Sequence, residues 1–519
     1  MVFYFLHLYF ISFFYTEHMA FASVQSAQLT GLGATGVTIE IDVNRGLYLF
    51  QIVGLPDKAV EEARERVISA VRNNLGINIK GENQKVIVSL SPAELKKEGA
   101  YFDLAIAIGY LVATEEIKAE TKDKLFIGEL ALNGEVRKVR GLLSIAVWAK
   151  NHHVKELFIP SANEQEAQLI DGLTFYLVPT LKKLVEYLMG TQQLRTSTFN
   201  TVRSLTEKST TDFGDVRGQQ SAKRALTIAA TGGHNIVLYG PPGTGKTMLA
   251  KAFHSIIPDL TNDSFLEVAM IYSSIGLLDD MLHGTPPLRA PHHSASHVAI
   301  IGGGSVIRPG DITLAHRGIL YLDEFPEFDR RVIEALREPL EEGSITVARA
   351  KGSVRYPAKF ILLAAMNPCP CGYRGSGIKQ CSCTGAELAR YNKKLSGPIV
   401  DRIDLWVPVA HVAYESLHQT TIHNESAVLK RKITELRHKQ HTERSKLNSE
   451  LSTTDVQTNS GITSEAKLLL QQSAETLKLS PRVYLRTIKV SRTIADLEDS
   501  ATIEPRHILE ALQYRPKFG

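Results

Sequence analysis

One short segment of the chain has the residue types and the spacing that hold the phosphates of a nucleotide. An apolar run from Ile236 to Tyr239 leads into eight residues that match the complete phosphate-loop pattern GxxxxGK[ST], and a predicted helix follows. These residues are Gly240, Pro241, Pro242, Gly243, Thr244, Gly245, Lys246 and Thr247. Glycines let backbone N–H groups point at phosphate oxygens, and the N-terminus of the helix adds partial positive charge.

Two side chains at the end of this loop are expected to bind ATP and Mg²⁺ directly. Lys246 should reach the β- and γ-phosphates, and the hydroxyl of Thr247 should ligate the metal. The alternative, a coincidental glycine loop, is disfavoured by the strand before the pattern and the helix after it.

Two further apolar runs end in polar side chains that would complete the site. The run 318–322 ends in Asp323 and Glu324, and the run 360–365 is followed shortly by Asn367. We expect Asp323 to hold the Mg²⁺ shell and Glu324 to polarise the attacking water. Asn367 would orient that water, although an ordinary asparagine at a strand end is the alternative.

All four cysteines of the chain lie within fifteen residues of one another. They are Cys369, Cys371, Cys381 and Cys383. Four thiolates on a Gly-rich loop suit tetrahedral zinc, although CxC spacing is tighter than the usual CxxC. Reduced thiols of a cytosolic protein, or redox-labile pairs, are the alternative. Zinc here would be structural, because four thiolates leave no coordination position open for a substrate.

Composition places the chain among ordinary globular proteins with several domains. Its 519 residues are 22% charged and 44% hydrophobic, which excludes a wholly disordered or fibrous chain. A net charge of +4 does not by itself indicate a nucleic-acid partner, so any basic surface must be local. Four cysteines in so long a chain exclude a disulfide scaffold.

The first eighteen residues differ from the rest of the chain. Eight of them are Phe or Tyr, but the run is shorter than the ~20 residues that a membrane span needs. It also lacks the basic start and the cleavage site of a signal peptide. A membrane anchor is one interpretation, and a non-native or disordered extension upstream of Met19 is the favoured one. We therefore expect a cytoplasmic protein that does not associate with membranes.

Changes in composition and periodicity divide the rest of the chain into five segments. They are an α+β domain over 19–189, a Ser/Thr-rich linker over 190–211, a domain of alternating strands and helices over 212–411, a polar helical linker over 412–461 and a helical domain over 462–519.

Local patterns predict several elements within these segments. The runs 37–43 and 47–53 are expected to pair as a hairpin, and Asn133-Gly134 is expected to turn a second hairpin. Helices are predicted over 60–74 and 102–113. Towards the C-terminus, Ser464 and Ser480 are predicted N-caps of two helices.

The order of these motifs resembles AAA+ ATPases of the magnesium-chelatase-like group and, more closely, the YifB/ComM family. The stretches that carry the resemblance are VGLPDKAVEEARERV (53–67), LRAPHHSAS (288–296), GGGSVIRPGDITLAHRGILYLDE (302–324), NPCPCG (367–372) and VSRTIADLE (490–498). The resemblance implies an α/β protein with an N-terminal α+β domain like that of Lon proteases (ribosomal S5 domain 2-like), an AAA+ P-loop core and a C-terminal helical lid.

The same resemblance implies a homo-hexameric ring motor in which ATP lies between subunits. Family members are similar to DNA helicases that promote branch migration during natural transformation. Arg402 matches the arginine that a neighbour supplies in trans, with an ion pair to Asp401 or Asp404 as the alternative. Arg482 matches the sensor-2 arginine of the lid, although Arg486 lies one turn further along the same helix.

Contacts with single-stranded or branched DNA are expected at a hairpin between 342 and 360, whose cations are Arg349, Lys351 and Arg355. A solvated hairpin is the alternative. The basic run 430–446 has two equally weighted interpretations, a nucleic-acid backbone contact or a solvated helical face. For His292 and His293, between the two nucleotide motifs, a structural or DNA-facing role is favoured over metal binding.

The N-terminal domain resembles a protease domain that lacks its chemistry. Tyr101 stands where the Lon family has its serine nucleophile, and Ile145 stands where that family has its catalytic lysine. A phenol and a butyl group cannot form a nucleophile–base pair, so a non-proteolytic scaffold is expected. Two rivals to the DNA motor remain open, a chelatase-type motor subunit and an ATP-dependent protease, of which the protease is the weaker.

Overall fold

The structure is a computed structural model, and it describes residues 20–199, 211–304, 307–349, 352–375, 377, 379–412 and 424–516. These residues form two compact units, one before and one after the gap at 200–210. Three predicted features lie outside the described residues, namely the extension 1–18, residues 200–210 of the predicted linker and Lys351. Within the described ranges, no helix is both long enough and apolar enough to cross a membrane.

The first unit is a mixed sheet covered by helices. Its strands are β1 (Ala20–Thr30), β2 (Gly33–Arg45), β3 (Leu49–Val53), β4 (Gln84–Ser91), β5 (Lys124–Phe126), β6 (Glu129–Leu130), β7 (Val136–Arg137), β8 (Glu156–Pro160), β9 (Thr174–Val178) and β10 (Thr196–Ser197). Its helices are α1 (Lys58–Leu75), α2 (Asp103–Ala113), α3 (Leu142–Asn151), α4 (Glu164–Ala167) and α5 (Leu181–Leu188). Eight strands form one sheet in the order β10-β9-β8-β5-β1-β2-β4-β3.

Two predictions for this unit need correction. The runs 37–43 and 47–53 do not pair with each other, because β4 lies between β2 and β3 and pairs with both. This position gives β4 hydrogen-bonding neighbours on both edges, and its alternate residues Val86, Val88 and Leu90 are buried on one face of the sheet. The predicted linker also begins too early, since β10 pairs antiparallel with β9.

Other predictions for the first unit are confirmed. Helix α2 is buried along almost its whole length, and α1 buries one face. Strands β6 and β7 form the predicted second hairpin. Gly134 takes φ +85° in its turn, and its N–H donates to the carbonyl of Ala131 at 2.9 Å.

The second unit contains a parallel sheet and a bundle of helices. Its strands are β11 (Ile236–Tyr239), β12 (Leu288–Arg289), β13 (Gly302–Gly303), β14 (Arg308–Pro309), β15 (Ile319–Leu322), β16 (Ser344–Arg349), β17 (Gly352–Pro357), β18 (Ile361–Met366) and β19 (Leu405–Pro408). Its helices are α6 (Gln220–Gly232), α7 (Lys246–Ile256), α8 (Asn262–Ile275), α9 (His297–Ile301), α10 (Asp311–Leu314), α11 (Arg330–Ala335), α12 (Arg337–Glu342), α13 (Gly385–Asn392), α14 (Gly397–Val400), α15 (Glu425–Arg444), α16 (Thr453–Asn459), α17 (Ser464–Leu477), α18 (Pro481–Leu497) and α19 (Pro505–Gln513).

Five strands of this unit run parallel in the order β12-β15-β18-β11-β19. The strand that precedes the phosphate loop, β11, is flanked by β18 and β19. Because the carboxyl ends of parallel strands meet at one edge, the segments after β11, β15 and β18 converge there. This edge of the sheet therefore carries the residues that the sequence predicts to bind a nucleotide.

The C-terminal helices pack against this sheet unit through α18. Val490, Ile494 and Leu497 of α18 share one apolar core with residues of β11 and α7. The predicted N-cap Ser480 accepts from the N–H of Val483, as expected. The helix predicted to be capped by Ser464 is capped instead by Thr463, whose side chain accepts from the N–H of Ala466.

Candidate functional site

The phosphate loop joins the end of β11 to the start of α7. A Cβ at Gly240 would overlap the carbonyl oxygen of Val409. Gly245 instead needs no space, but it takes φ +84° as it leads into α7, a conformation that favours glycine. Glycine is thus required at position 240 by the close approach of another backbone segment, and at position 245 by the positive φ angle.

The ammonium group of Lys246 lies between the loop and the end of β18. It donates to the carbonyl oxygens of Gly240 and Pro241 at 2.7 and 2.8 Å, and to Oδ1 of Asn367 at 3.2 Å. Burial lowers the pKa of Lys246, and the nearby carboxylate of Asp323 counteracts that effect. The lysine and Asn367, which are 121 residues apart in the chain, therefore meet at one point.

Two oxygens beside this lysine are suited to a magnesium ion. Oγ1 of Thr247 lies 3.3 Å from Oδ2 of Asp323. That separation is close to the ~2.9 Å between adjacent oxygens of an octahedral Mg²⁺ shell, and hydroxyl and carboxylate oxygens are ligands that Mg²⁺ accepts. The donor set therefore fits the metal that the sequence predicts.

Glu324 sits in an unusual backbone conformation at the same edge. Its φ of +50° is rare for a residue other than glycine, and its N–H donates to Oδ1 of Asp323 at 2.9 Å. Its Oε2 lies 3.1 Å from Nδ1 of His293. The sequence favours a structural or DNA-facing role for His293 over metal binding, and it carries no signal of this contact.

A second polar cluster, here called the arginine cluster, consists of Arg402, Arg482, Arg486 and Lys489 around Glu341. The five side chains contribute to the lining of a cavity of about 240 Å³. Arg402 is buried and donates to one oxygen of Glu341 and, at 2.7 Å, to the carbonyl of Pro398. Nη2 of Arg482 lies 3.0 Å from the other oxygen of Glu341. One carboxylate therefore holds both predicted arginines.

These pairings bear on two alternatives that the sequence leaves open. The partner of Arg402 is Glu341, and neither Asp401 nor Asp404 forms an ion pair with it in the described structure. Arg486 is held at 2.6 Å by the buried Asp404. Burial opposes ionisation of Asp404, but Arg486 and His234 outweigh it and hold the pKa of this carboxyl well below its usual range. Arg486 is thus already paired with Asp404, whereas the side chain of Arg482 is more than half exposed.

The four cysteines form one cluster whose sulfur atoms all lie within 4.8 Å of one another. The Sγ of Cys369 lies 3.4 Å from that of Cys371 and 3.8 Å from that of Cys381. Tetrahedral zinc with Zn–S bonds of about 2.3 Å needs sulfurs about 3.8 Å apart. Hydrogen bonds from the backbone at Tyr373 and Ser382 lower the pKa of Cys371 to about 5. At Cys381 and Cys383 a backbone hydrogen bond is outweighed by burial and the neighbouring thiols, which raise the pKa of both, so Cys371 is the one of these three that ionises most readily. The cluster fits a Zn²⁺ ion.

The cysteine loop touches the phosphate loop at Gly372. This residue takes φ +83°, and a Cβ on it would lie 2.9 Å from Cδ of Pro242 and 3.9 Å from Cγ of Asn367. Further along, the hydroxyl of Tyr391 in α13 donates to the carbonyl of Asn367 at 3.0 Å. The segment after β18 is therefore held against the nucleotide site at two points.

The predicted DNA-contact hairpin exists as β16 and β17 in antiparallel register. Nε of Arg355 donates to Oγ of Ser344 at 2.8 Å, and its Nη2 lies 3.0 Å from Glu342. Lys351 and the side chain of Arg349 lie outside the described residues. Of the three predicted cations, Arg355 is thus paired with the end of α12 and with its own hairpin.

The basic run 430–446 forms most of α15 and is largely occupied by protein contacts. Nε of Arg437 donates to the carbonyl of Ala230 at 2.8 Å, and Arg444 lies 3.0 Å from the buried Asp496. Three more of its cations also have protein partners, namely Lys430, Lys432 and Lys446. The run therefore combines protein contacts with a solvated face, since Ile433, Leu436 and Gln440 of the helix are buried while Lys432 and Lys446 are exposed.

Comparison with known proteins agrees with these features. The family model described as magnesium chelatase, subunit ChlI, matches residues 212–417. The model of subunit ChlI of Mg-chelatase matches residues 39–163, and the model of the ChlI C-terminal part matches residues 423–515. Competence protein ComM of Haemophilus influenzae is 41% identical over 504 residues, which cover 96% of this chain and 98% of that protein. The chain belongs to the YifB/ComM family of magnesium-chelatase-like AAA+ proteins.

Two other relatives mark the breadth of the family. YifB of Escherichia coli is 39% identical over 502 residues, which cover 96% of this chain and 97% of that protein. The magnesium-chelatase 67 kDa subunit of Chlorobaculum parvum is 29% identical over 160 residues, which cover 30% of this chain and 23% of that protein. The YifB/ComM likeness thus spans both units, while the likeness to this chelatase subunit is partial.

The contact between the two loops can be tested with Gly372→Ala. We expect ATP affinity to fall about five-fold, or about 1 kcal/mol, because the new methyl group would press on Pro242. Gly375→Ala is the matched control, since Gly375 has φ +72° and nothing within 4 Å of its Cβ position. Binding of a fluorescent ATP analogue measures both variants. Equal affinities would show that the contact at Pro242 does not position the phosphate loop.

Proposed function

We propose that this protein is an ATP-hydrolysing hexameric motor that acts on DNA and promotes branch migration during natural transformation. The observation that carries the proposal is the separation of two half-sites. Lys246, Thr247, Asp323, Glu324 and Asn367 converge at one edge of the sheet, whereas Arg402 and Arg482 pair with Glu341 in a distinct cluster. The name of the Haemophilus relative, competence protein ComM, supports the pathway.

The arginine cluster would complete the site of a neighbouring subunit. Within the described contacts, Arg402 and Arg482 bind no residue of their own phosphate loop. A closed ring places one surface of each subunit against a different surface of the next. The γ-phosphate of a neighbour's ATP would then displace Glu341 as the anion shared by both arginines. This extends the trans role from Arg402 to Arg482.

The residues at the sheet edge divide the chemistry of hydrolysis among them. Lys246 would exchange two backbone carbonyls for phosphate oxygens, a stronger interaction for an ammonium group. Thr247 and Asp323 would hold Mg²⁺, which when bound neutralises developing charge on the phosphates. Glu324 would accept a proton from the attacking water, and Asn367, in contact with Lys246, would orient that water.

The cysteine cluster is proposed to hold one structural Zn²⁺ ion per chain. Protein purified without chelator should contain about one equivalent of zinc, and the double variant Cys369→Ser/Cys371→Ser should contain almost none, because it lacks half of the ligands. Since the loop contacts Pro242, metal loss should also weaken ATP binding. Elemental analysis decides the matter, and wild-type protein with far less than one equivalent would leave these cysteines as packing or redox residues.

The N-terminal domain is proposed to be a Lon-like fold that serves as a non-proteolytic scaffold. Ile145 is completely buried in α3, and burial raises the pKa of Tyr101, so neither residue offers a nucleophile or a base. Asp103, at the start of α2, is buried and held by Arg66 at 2.6 Å. These residues thus serve packing and charge pairing.

The role of Glu324 predicts different behaviour for two variants of the nucleotide site. Lys246→Ala should abolish ATP hydrolysis, because the phosphates lose their main cation. Glu324→Gln should still bind ATP, but hydrolysis should slow at least ~100-fold, the usual contribution of a general base. Binding and phosphate release are measured separately on each variant. Wild-type turnover by Glu324→Gln would assign the water-polarising role to another residue.

The choice between a DNA motor and a chelatase-type motor rests on one comparison. The partial likeness to a magnesium-chelatase subunit keeps the second function open. ATPase rates are measured with and without single-stranded or forked DNA. We expect DNA to stimulate the rate several-fold, and a branch-migration assay on a four-way junction should then be positive. Equal rates with and without DNA would contradict the DNA motor and favour the chelatase-type function.

A further inference from the structure

We propose that a cationic cleft beside the nucleotide site binds the phosphate backbone of single-stranded DNA and transmits that binding to Glu324 and Asn367. The cleft has a volume of about 280 Å³, and its charged lining residues are Arg330, Arg390, Lys393, Lys394 and Glu327. It is distinct from the β16–β17 hairpin. The inference rests on the proposed DNA motor and names a surface that would carry its substrate.

The charge of this cleft is unbalanced. Lys394 pairs with Glu327 at 2.6 Å, which leaves Arg330, Arg390 and Lys393 without an ion-pair partner among the described residues. The lining therefore carries a net charge of about +3, while the whole chain carries only +4. A local excess of this size attracts a polyanion by release of its counterions.

The arrangement of the cations favours a nucleic-acid backbone as the ligand. Arg390 lies in the last turn of α13, Lys393 is the C-cap three residues later and Lys394 follows directly, and Arg390 and Lys393 are exposed. A row of this kind can follow successive phosphates. Phe328, which also lines the cleft, is buried and so cannot stack on a base. The contacts would therefore be to phosphate and independent of sequence.

One wall of the cleft leads to Glu324. The ring of Phe328 meets the ring of His293 edge-on, with centroids 6.5 Å apart, and Nδ1 of His293 lies 3.1 Å from Oε2 of Glu324. In addition, the N–H of Glu327 donates to the carbonyl of Glu324 at 2.7 Å. Any shift of this wall on DNA binding would move the glutamate that polarises the attacking water.

The other wall leads to Asn367. Nζ of Lys394 lies 5.9 Å from the centre of the Tyr391 ring, whose hydroxyl donates to the carbonyl of Asn367 at 3.0 Å. Lys394 also bridges to Glu327 on the first wall. An anion that draws the two walls together would thus act on both residues that flank the water. A preference of DNA for that arrangement would raise the hydrolysis rate.

The test removes two cations that have no ion-pair partner, in the double variant Arg390→Gln/Lys393→Gln. Binding of a fluorescent single-stranded oligo(dT) is titrated over a range of salt concentrations in the assembled protein. Loss of two phosphate contacts should reduce the slope of log affinity against log salt by about 1.4 and weaken binding several-fold. The ratio of ATPase rates with and without DNA should fall in parallel. Lys467→Gln/Lys478→Gln removes the same charge from an exposed surface of the C-terminal helices and should retain the wild-type slope.

A second variant separates binding from transmission. Tyr391→Phe removes the hydroxyl that donates to Asn367 but keeps all the cations. We expect it to bind the oligonucleotide within two-fold of the wild-type affinity and to lose more than half of the DNA stimulation. Full stimulation in this variant would refute transmission through α13.

Three results would overturn the proposal in distinguishable ways. If wild-type protein neither binds DNA nor responds to it, the proposed function itself fails. If wild-type protein binds DNA but Arg390→Gln/Lys393→Gln has the wild-type slope, the cleft is not a DNA site and the motor hypothesis survives. If that double variant no longer assembles in size-exclusion chromatography with ATP, the cleft binds an acidic surface of a neighbouring subunit instead.

Discussion

The half-buried ammonium group of Lys246 connects the parts of the nucleotide site. It bonds to two carbonyls of the phosphate loop and to Asn367, so it connects the segments after β11 and β18. Such a group loses hydration when it is buried, and carbonyl oxygens compensate only in part. A phosphate dianion in the same place would compensate fully. The cation at this edge of the parallel sheet would therefore bind the phosphates of ATP more strongly than it binds the carbonyl oxygens.

A similar electrostatic constraint governs the arginine cluster. Two guanidinium groups lie close together, and Glu341 is the carboxylate that reduces their repulsion. The hydrogen bond from Arg402 lowers the pKa of Glu341, so this carboxylate stays charged. Because one carboxylate supplies one negative charge for two cations, a more highly charged anion is a better partner. In the proposed ring, the γ-phosphate of a neighbouring subunit's ATP would have that charge, and this would link nucleotide binding to assembly.

The sequence predicts the parts of this protein that depend on short stretches of chain. The phosphate loop, the strand-end residues Asp323 and Glu324 and the cysteine cluster were found because their residue types and spacing are local. The parallel sheet then follows from the alternation of strands and helices, and its geometry brings Asn367 to Lys246.

Features that depend on distant parts of the chain were missed. The β2–β3 hairpin was wrong because β4, which follows a whole helix later, pairs with both strands. The contact of His293 with Glu324 and the shared carboxylate of Glu341 arise from tertiary packing. The protein partners of cations in 430–446 were also missed, because partners such as Asp496 lie elsewhere in the sequence. A motif can be identified from neighbouring residues in the sequence, whereas the partner of a tertiary contact cannot.

If each ATP is hydrolysed between two subunits, two inactive variants should complement each other in mixed rings. Lys246→Ala retains the arginine cluster, and Arg402→Ala retains the phosphate loop. In rings assembled from equal amounts, about a quarter of the interfaces would combine an intact loop with an intact Arg402. The mixture should recover up to about that fraction of the wild-type ATPase rate. No recovery at any mixing ratio, with mixed assembly demonstrated, would contradict hydrolysis in trans.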